Sequence, residues 1–143
     1  MAIPTVDEAR AFFRRAPFVA DLGIDVDAIG AGECTTSLAI APRFLQHSGQ
    51  VHAGVLTTLA DHTAGAAAQT LAAEGSFVAT AELKISLLRP AKGERLVCRG
   101  RVLKPGKQVS FVEAEVRAVE GDQQHLVAKV SATMAMVDVK NLA

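Results

Sequence analysis

The sequence carries no excess of charge of either sign. Its 143 residues hold 15 Lys and Arg against 15 Asp and Glu, which gives a formal net charge of +0. Binding to nucleic acid or to an anionic membrane surface depends on positive charge, so we expect neither partner. The most apolar stretch, residues 51–73, is interrupted by His52, Asp61, His62 and Gln69. It is too polar to span a membrane and predicts a buried helix instead.

Cysteine is scarce, and the motifs of several enzyme classes are missing. The two cysteines, Cys34 and Cys98, lie in predicted strands and lack the paired spacing of a zinc site or a CxxC redox centre. We expect buried free thiols and no metal. No GxSxG, HExxH, Walker or GxGxxG motif is present, which removes the serine-hydrolase, zincin, P-loop and Rossmann classes.

Residues 1–8 lack the basic start and apolar stretch of a signal peptide, which predicts a cytoplasmic protein.

Half of the residues are hydrophobic and 21% are charged, a composition typical of one globular domain. A chain of this length buries roughly two thirds of its unfolded surface, which is enough for a hydrophobic core that needs no disulfide or metal ion. No internal repeat, low-complexity tract or Pro/Gly/Ser-rich linker divides it. The sequence therefore predicts a single domain over residues 1–143.

Hydrophobic periodicity predicts two strands, a long helix and four more strands. A short amphipathic helix is expected at 6–15 with Pro17 closing it, followed by a hairpin of strands at 23–28 and 33–40. After a loop at 42–54, a helix of about 20 residues is expected, with apolar residues around its whole circumference. Such a helix is buried on most sides, so other elements of the fold must pack around it. The remaining strands, joined by short turns, predict an antiparallel meander; they are 77–88, 95–103, 108–119 and 125–139. This order predicts an α+β fold with a curved antiparallel sheet around a central helix.

Asp61 is the first candidate for chemistry because it lies two turns inside this helix, away from any terminus that a carboxylate would cap. Its same-face neighbours three and four residues away include no cation. A partly desolvated carboxylate without a cation suits a general base or a nucleophile. The alternative is that Asp61 lies on a strip of helix open to water.

The start of the same helix offers a second group of candidates. His52 precedes Asp61 by nine residues, which places the two on opposite faces of one helix. Capping of the helix by His52 is favoured over catalysis. The free N–H groups of Ala53 and Gly54 are oriented donors that can hold an oxyanion. Gln46 either positions a carbonyl or water, or faces solvent.

The segment QHSGQVHAGVLTTLAD, residues 46–61, resembles the motif of hot-dog-fold acyl-CoA thioesterases of the PaaI-like (phenylacetate-pathway) group. That motif runs N/Q-x-x-G-x-x-H-G-G and continues into a helix with L-x-D or L-x-E. The carboxylate of Asp61 falls at the family's spacing, nine residues after the His and fifteen after the amide residue. Residues 80–93 resemble the family's strand that ends in an RPA turn. Two residues depart from the pattern: Gln46 stands for the common Asn, and Ala53 for the first Gly of HGG.

The resemblance implies hydrolysis of an acyl- or aryl-CoA thioester to the free acid and CoA. Asp61 would act as nucleophile or as general base for water, the amides of Ala53 and Gly54 would polarise the carbonyl, and Gln46 would orient the carbonyl or the water. No cofactor is implied, since CoA is part of the substrate. Its phosphates would lie near turn cations, which are Arg89, Lys104 and Lys107. The family also implies a homodimer, and a dimer of dimers, with each site built across the interface of two subunits.

Two other functions compete with hydrolysis. Acyl-thioester hydratases and dehydratases share the fold, but their D-x-N-P-x-H type of motif is absent. A non-catalytic acyl-CoA binding module is favoured by Ala53. The presence of Asp61 at the family's spacing argues against a module that only binds, because an unpaired carboxylate beside an apolar acyl chain weakens binding. The acyl group, and the choice between dimer and tetramer, stay open at this point.

Overall fold

The computed structural model describes residues 3–142. Three α-helices and six strands follow one another along the chain, with two short 3-10 turns at Pro42–Phe44 and Val139–Asn141. The helices are α1 (Val6–Arg14), α2 (Pro17–Leu22) and α3 (Ala53–Gln69). The strands are β1 (Asp25–Gly30), β2 (Glu33–Ala39), β3 (Ser76–Leu87), β4 (Arg95–Lys104), β5 (Val109–Glu120) and β6 (Gln123–Asp138). The predicted α+β fold, a curved antiparallel sheet with one long helix, is confirmed.

The N-terminal region contains two helices where the sequence predicted one. The first begins with a capping box, in which the Glu8 amide donates to Thr5 Oγ1 at 3.2 Å and the Glu8 carboxylate accepts from the Thr5 amide. Pro17 does not simply close this helix, as expected, but opens α2. Proline suits the first turn of a helix, where its missing N–H would have no partner. Gly23, at φ 85°, then ends α2 in the left-handed region that glycine tolerates.

The sheet order is β1-β2-β4-β5-β6-β3, with every neighbouring pair antiparallel. The prediction of a four-strand meander after the helix is therefore wrong, because β3 pairs with β6 and not with β4. The connection after β3 is no tight turn: it crosses the ends of β6 and β5 to reach β4. Hydrogen bonds anchor this crossing, from the Leu88 amide to Val127 O at 2.8 Å and from the Glu94 amide to Val119 O at 2.9 Å.

Helix α3 packs against β2, β3, β4, β5 and β6. Its buried side chains form the centre of the core; they are Leu56, Leu59, Ala60, Thr63, Ala64, Ala67 and Ala68. At Gly100 of β4 the contact is so close that a Cβ would lie 3.1 Å from the backbone oxygen of Thr63. The helix is buried on most sides, as predicted, and one strip that includes Asp61 and Gly65 is only half-buried. None of the helices within residues 3–142 is long and apolar enough to cross a membrane.

Under the helix, hydroxyls and thiols fill the space between α3 and the sheet. Thr63 Oγ1 donates to Leu59 O at 2.7 Å, so the hydroxyl of Thr36, 2.7 Å away, donates to Thr63 Oγ1. Both cysteines are buried and free, as predicted. Burial raises the pKa of Cys34 and of Cys98 to about 12. These thiols are therefore protonated and belong to the core.

Candidate active site

Asp61 lies on the half-buried strip of α3, facing β3. Its Oδ1 accepts a hydrogen bond of 2.6 Å from Thr80 Oγ1. No Lys, Arg or His forms an ion pair with Asp61 within residues 3–142. One carboxylate oxygen is thus fixed by a neutral donor, while Oδ2 keeps its lone pairs for a reacting group or a water molecule. A carboxylate oriented in this way can serve as a base or as a nucleophile.

A largely apolar cavity of about 520 Å³ opens beside this carboxylate. Its walls come from α1, from the half-buried strip of α3 and from the start of β3; the residues are Pro4, Glu8, Ala9, Phe12, Phe13, Ile29, Asp61, His62, Gly65, Ala66, Gln69, Thr70, Ser76, Phe77, Val78 and Thr80. A volume of this size lies in the range of roughly 300–1,000 Å³ that is typical of small-molecule sites. Asp61 and Thr80 are both among the lining residues, so a ligand in the cavity would lie beside the carboxylate.

His62, the next residue after Asp61, belongs to the cavity wall. Its ring packs edge-on against Phe13, with centroids 4.4 Å apart and an interplanar angle of 84°. Burial lowers the pKa of the His62 imidazole from its usual value, against the opposing effect of the Asp61 carboxylate. The ring is therefore neutral at pH 7 and contributes apolar surface instead of a positive charge.

The start of α3 is capped by His52, as the favoured interpretation predicted. The imidazole Nδ1 accepts from the Gly54 amide at 2.8 Å. The expectation that both amides at this point are free is therefore corrected for Gly54, because the ring of His52 folds back over its N–H. The Ala53 amide has no hydrogen-bond partner within residues 3–142. It is the oriented donor available to an oxyanion.

Gln46 and Arg89 lie together beside this helix start. Both line a more open depression of about 270 Å³ that also includes Ala53. Arg89 Nη1 donates to Leu126 O at 3.1 Å, which holds the guanidinium over the edge of the sheet. The two remaining turn cations, at 104 and 107, are at the other end of β5, where Lys104 pairs with Phe111. The structure thus brings one of the three predicted phosphate ligands to the helix start.

The two halves of the predicted site do not meet within one chain. Ala53 and Asp61 are eight residues apart on α3, which corresponds to about 12 Å along the axis. They line different cavities, and His52 lines a third with Gly54. One thioester carbonyl cannot lie within hydrogen-bond distance of both Asp61 and the Ala53 amide of the same chain.

Sequence reasoning did not identify Thr80 as a partner of Asp61, nor α1 as a wall of the cavity. Thr80 alternates with Ala81, Leu83 and Ile85 in the sequence, and this period of two indicates a strand without naming the residue that Thr80 meets. Which residue of the helix it meets depends on how α3 crosses β3. Among residues 3–142 there is no cluster of three or more His, Cys, Asp or Glu side chains that could hold a metal ion.

The amino-acid sequence matches a known protein family over more than half of its length. The profile of the Thioesterase superfamily matches residues 48–124, more than half of the chain, including Asp61 and the start of α3. A candidate esterase of Halobacterium salinarum is 31% identical over 100 residues, a match that spans 66% of each chain.

Solved structures extend the likeness over the whole fold. A thioesterase family protein from Silicibacter pomeroyi is 32% identical with a TM-score of 0.88, over 90% of this chain and 95% of that one. A thioesterase from Haemophilus influenzae, 19% identical, has a TM-score of 0.87 over 97% and 94% of the two chains. The PaaI protein of the E. coli phenylacetic acid degradation operon, 23% identical, has a TM-score of 0.81 over 92% and 91%. The chain therefore belongs to the thioesterase superfamily and is a thioester hydrolase with a PaaI-like hot-dog fold.

Proposed function

We propose that this protein hydrolyses an acyl- or aryl-CoA thioester to the free acid and CoA. The observation that carries the proposal is the Asp61 carboxylate, which lines an apolar cavity and accepts a hydrogen bond of 2.6 Å from Thr80. The cavity offers room for an acyl group, and the carboxylate lies where the carbonyl of that group would emerge. CoA enters as part of the substrate, and the proposed reaction requires neither a cofactor nor a metal.

The chemistry asked of Asp61 takes one of two forms. As a general base it takes a proton from water, whose oxygen attacks the thioester carbonyl carbon; the C–S bond then breaks and the CoA thiolate leaves. As a nucleophile it attacks the carbon itself, forming a mixed anhydride that water later hydrolyses. A thiolate leaves readily and needs little acid assistance, which suits a site with few titratable groups.

The oxyanion donor in this proposal comes from a second subunit. Because about 12 Å separates Asp61 from the Ala53 amide along one helix, Asp61 of one chain faces the helix start of its partner. The edge of β3 that β6 leaves unpaired supports a homodimer, since an open edge strand presents free amides and carbonyls to another chain. Phe77 and Leu87 on this strand are 39% and 54% exposed and offer apolar surface for that contact. A dimer of such dimers is the further assembly that we expect.

The remaining candidates take supporting roles at that helix start. The Ala53 amide polarises the thioester carbonyl, and Gly54 adds a second donor only when the ring of His52 turns away from its N–H. Gln46, in the same depression as Ala53, orients the carbonyl or the attacking water. Arg89 is the first choice for a CoA phosphate because it shares that depression, and Lys104 and Lys107 are weaker choices at the far end of β5.

The test is thiol release from a panel of acyl- and aryl-CoA esters, with wild-type protein and with Asp61→Asn. Loss of a general base or nucleophile lowers kcat by roughly 10²–10⁴-fold. Asp122→Asn, in the exposed turn between β5 and β6, is the matched control and keeps wild-type rates. A folded Asp61→Asn variant as active as the control would remove Asp61 from the mechanism.

Ala53 favours one alternative function, that of an acyl-CoA binding module without catalytic activity. Its methyl group stands where the family's common residue has none, which narrows the approach to the amide. A binding module would bind CoA esters in the same panel without releasing thiol. That outcome would replace hydrolysis by binding as the function.

A further inference from the structure

The cavity beside Asp61 has no positive charge to offer a ligand. No Lys or Arg is among the described residues that line it, and both charged lining residues, Glu8 and Asp61, are acids. Two of the neutral polar side chains that line it are already engaged: the Gln69 amide donates to Ser76 O and accepts from the Val78 amide, both at 3.0 Å. The Thr70 hydroxyl likewise bonds two backbone groups. A carboxylate or phosphate placed here would lose its water without gaining a partner, which is costly.

Gly65 is the feature of this cavity that the fold itself does not explain. It lies one helical turn after Asp61 on the same face of α3 and lines the cavity. A Cβ built on it meets nothing within 4 Å, and its φ is not positive. Gly100 is different, since the backbone of Thr63 leaves a Cβ no room there. A glycine inside a helix costs about 1 kcal/mol relative to alanine, so its presence at 65 has a cost without a packing reason.

We propose that Gly65 holds the cavity open for the acyl group, and that position 65 sets the size of the acyl groups this enzyme accepts. The inference rests on the proposed function, since it takes the reacting thioester to lie at Asp61. From there the acyl chain runs along the bare backbone of Gly65 between α3 and α1. The acyl groups that fit are uncharged and apolar, either medium-length alkyl or aromatic.

The opposite wall fits such a ligand. Phe12 and Phe13 of α1 line the cavity, and the ring of His62 packs edge-on against Phe13. Aromatic side chains offer large apolar surfaces with defined faces and edges. A longer or aromatic acyl group buries more of this surface than an acetyl group does, and the gain in binding grows with the area removed from water.

The experiment compares Gly65→Ala and Gly65→Leu with wild type on acetyl-, octanoyl- and benzoyl-CoA. The ratio of kcat/KM for octanoyl-CoA over acetyl-CoA falls in the order Gly, Ala, Leu. For Leu the fall is about tenfold or more, the effect expected when a hydrophobic pocket loses room for a few methylenes. Ala11→Leu is the matched control: Ala11 is an exposed residue of α1 outside the cavity, so the same added side chain leaves the ratio unchanged.

Three results would overturn the inference. The first is a ratio for Gly65→Leu equal to that of Ala11→Leu in a folded protein. The second is hydrolysis of succinyl-CoA as fast as of hexanoyl-CoA by the wild type. The third is dissociation of Gly65→Leu subunits in light scattering, which would mean that Gly65 makes room for a partner chain rather than for an acyl group.

A binding measurement separates this inference from the proposed function. Calorimetry with non-hydrolysable octanoyl and acetyl thioether analogues of CoA measures the length preference without turnover. If wild type prefers the octanoyl analogue and Gly65→Leu loses that preference, the inference holds even where no thiol is released. If neither protein prefers the longer analogue, the inference fails even for an active hydrolase.

Discussion

The hydrogen bond from Thr80 to Asp61 can be tested by one nearly isosteric substitution. Thr80→Val removes the hydroxyl and keeps the shape of the side chain, so Oδ1 of Asp61 loses its 2.6 Å donor. Hydrogen bonds to charged groups contribute about 1.5–3 kcal/mol. Thr80 is exposed, so water competes for the carboxylate and the lower end of that range applies. About 1.4 kcal/mol corresponds to a tenfold change in rate.

We therefore expect kcat of Thr80→Val to fall about tenfold while KM stays unchanged, because the bond orients a reacting group and does not hold substrate. Steady-state thiol release on the best CoA ester measures both constants. Thr80→Ser restores most of the lost kcat, since it restores the donor. Thr35→Val is the control, as Thr35 is a half-buried strand threonine away from the cavity.

A role for Thr80 limited to packing predicts a different pattern. In that case serine, which lacks the methyl group, would behave worse than valine. An unchanged kcat in folded Thr80→Val would refute the positioning role. A rise in KM alone would move Thr80 from orienting Asp61 to binding the substrate.

Three further predictions concern stability and are checked by urea denaturation. Gly100→Ala lowers the free energy of unfolding by about 1–3 kcal/mol, because its Cβ would lie 3.1 Å from a helix carbonyl oxygen. Gly65→Ala raises the free energy of unfolding by about 1 kcal/mol, because its Cβ meets nothing and alanine favours the helix. A change in the same direction for both variants would contradict the packing described. His52→Ala removes the cap of α3 and costs about 1 kcal/mol, and no loss would mean that the cap contributes nothing. The thiols of Cys34 and Cys98 have a pKa of about 12 in the folded protein and near 9 in the unfolded chain. The free energy of unfolding therefore falls as the pH rises above 9, by up to ~1.4 kcal/mol per pH unit for each thiol. The double Cys→Ala variant loses this part of the slope, and an unchanged slope would contradict it.

The sequence was sufficient for most of the fold because its signals are local. Period-two alternation and Gly/Pro turns located the strands to within a few residues, and the small, apolar side chains after residue 52 located the central helix. The spacing between His52 and Asp61 led to the thioesterase resemblance, which the superfamily match confirms. These features are set by the chain over one or two turns and need no knowledge of what packs against them.

The features that sequence reasoning missed depend on contacts between distant segments. The pairing of β3 with β6 is decided by where the segment after Leu87 crosses the sheet, and no local pattern records that path. The bond between Thr80 and Asp61 joins residues 19 positions apart. Even the capped amide of Gly54 depends on one rotamer of His52. Such details of the candidate site are set by tertiary structure, whereas its candidate carboxylate, Asp61, could be selected from its position in the helix and from the motif.

In the proposed mechanism each active site takes Asp61 from one subunit and the Ala53 amide from another. Ala53→Pro removes that N–H at the first position of α3, where proline is well tolerated. Alone, it lowers kcat by about 10²–10³-fold, as expected for loss of an oxyanion donor. Asp61→Asn alone is also inactive.

Unfolding and refolding the two inactive variants together is the direct measurement. Random pairing makes half of the dimers mixed, and each mixed dimer with shared sites has one intact site and one doubly defective site. With shared sites, we expect thiol release to recover to about a quarter of the wild-type rate. If both groups act within one chain, every site in the mixture carries a defect. Activity would then stay at the level of the separate variants, which would contradict the shared site.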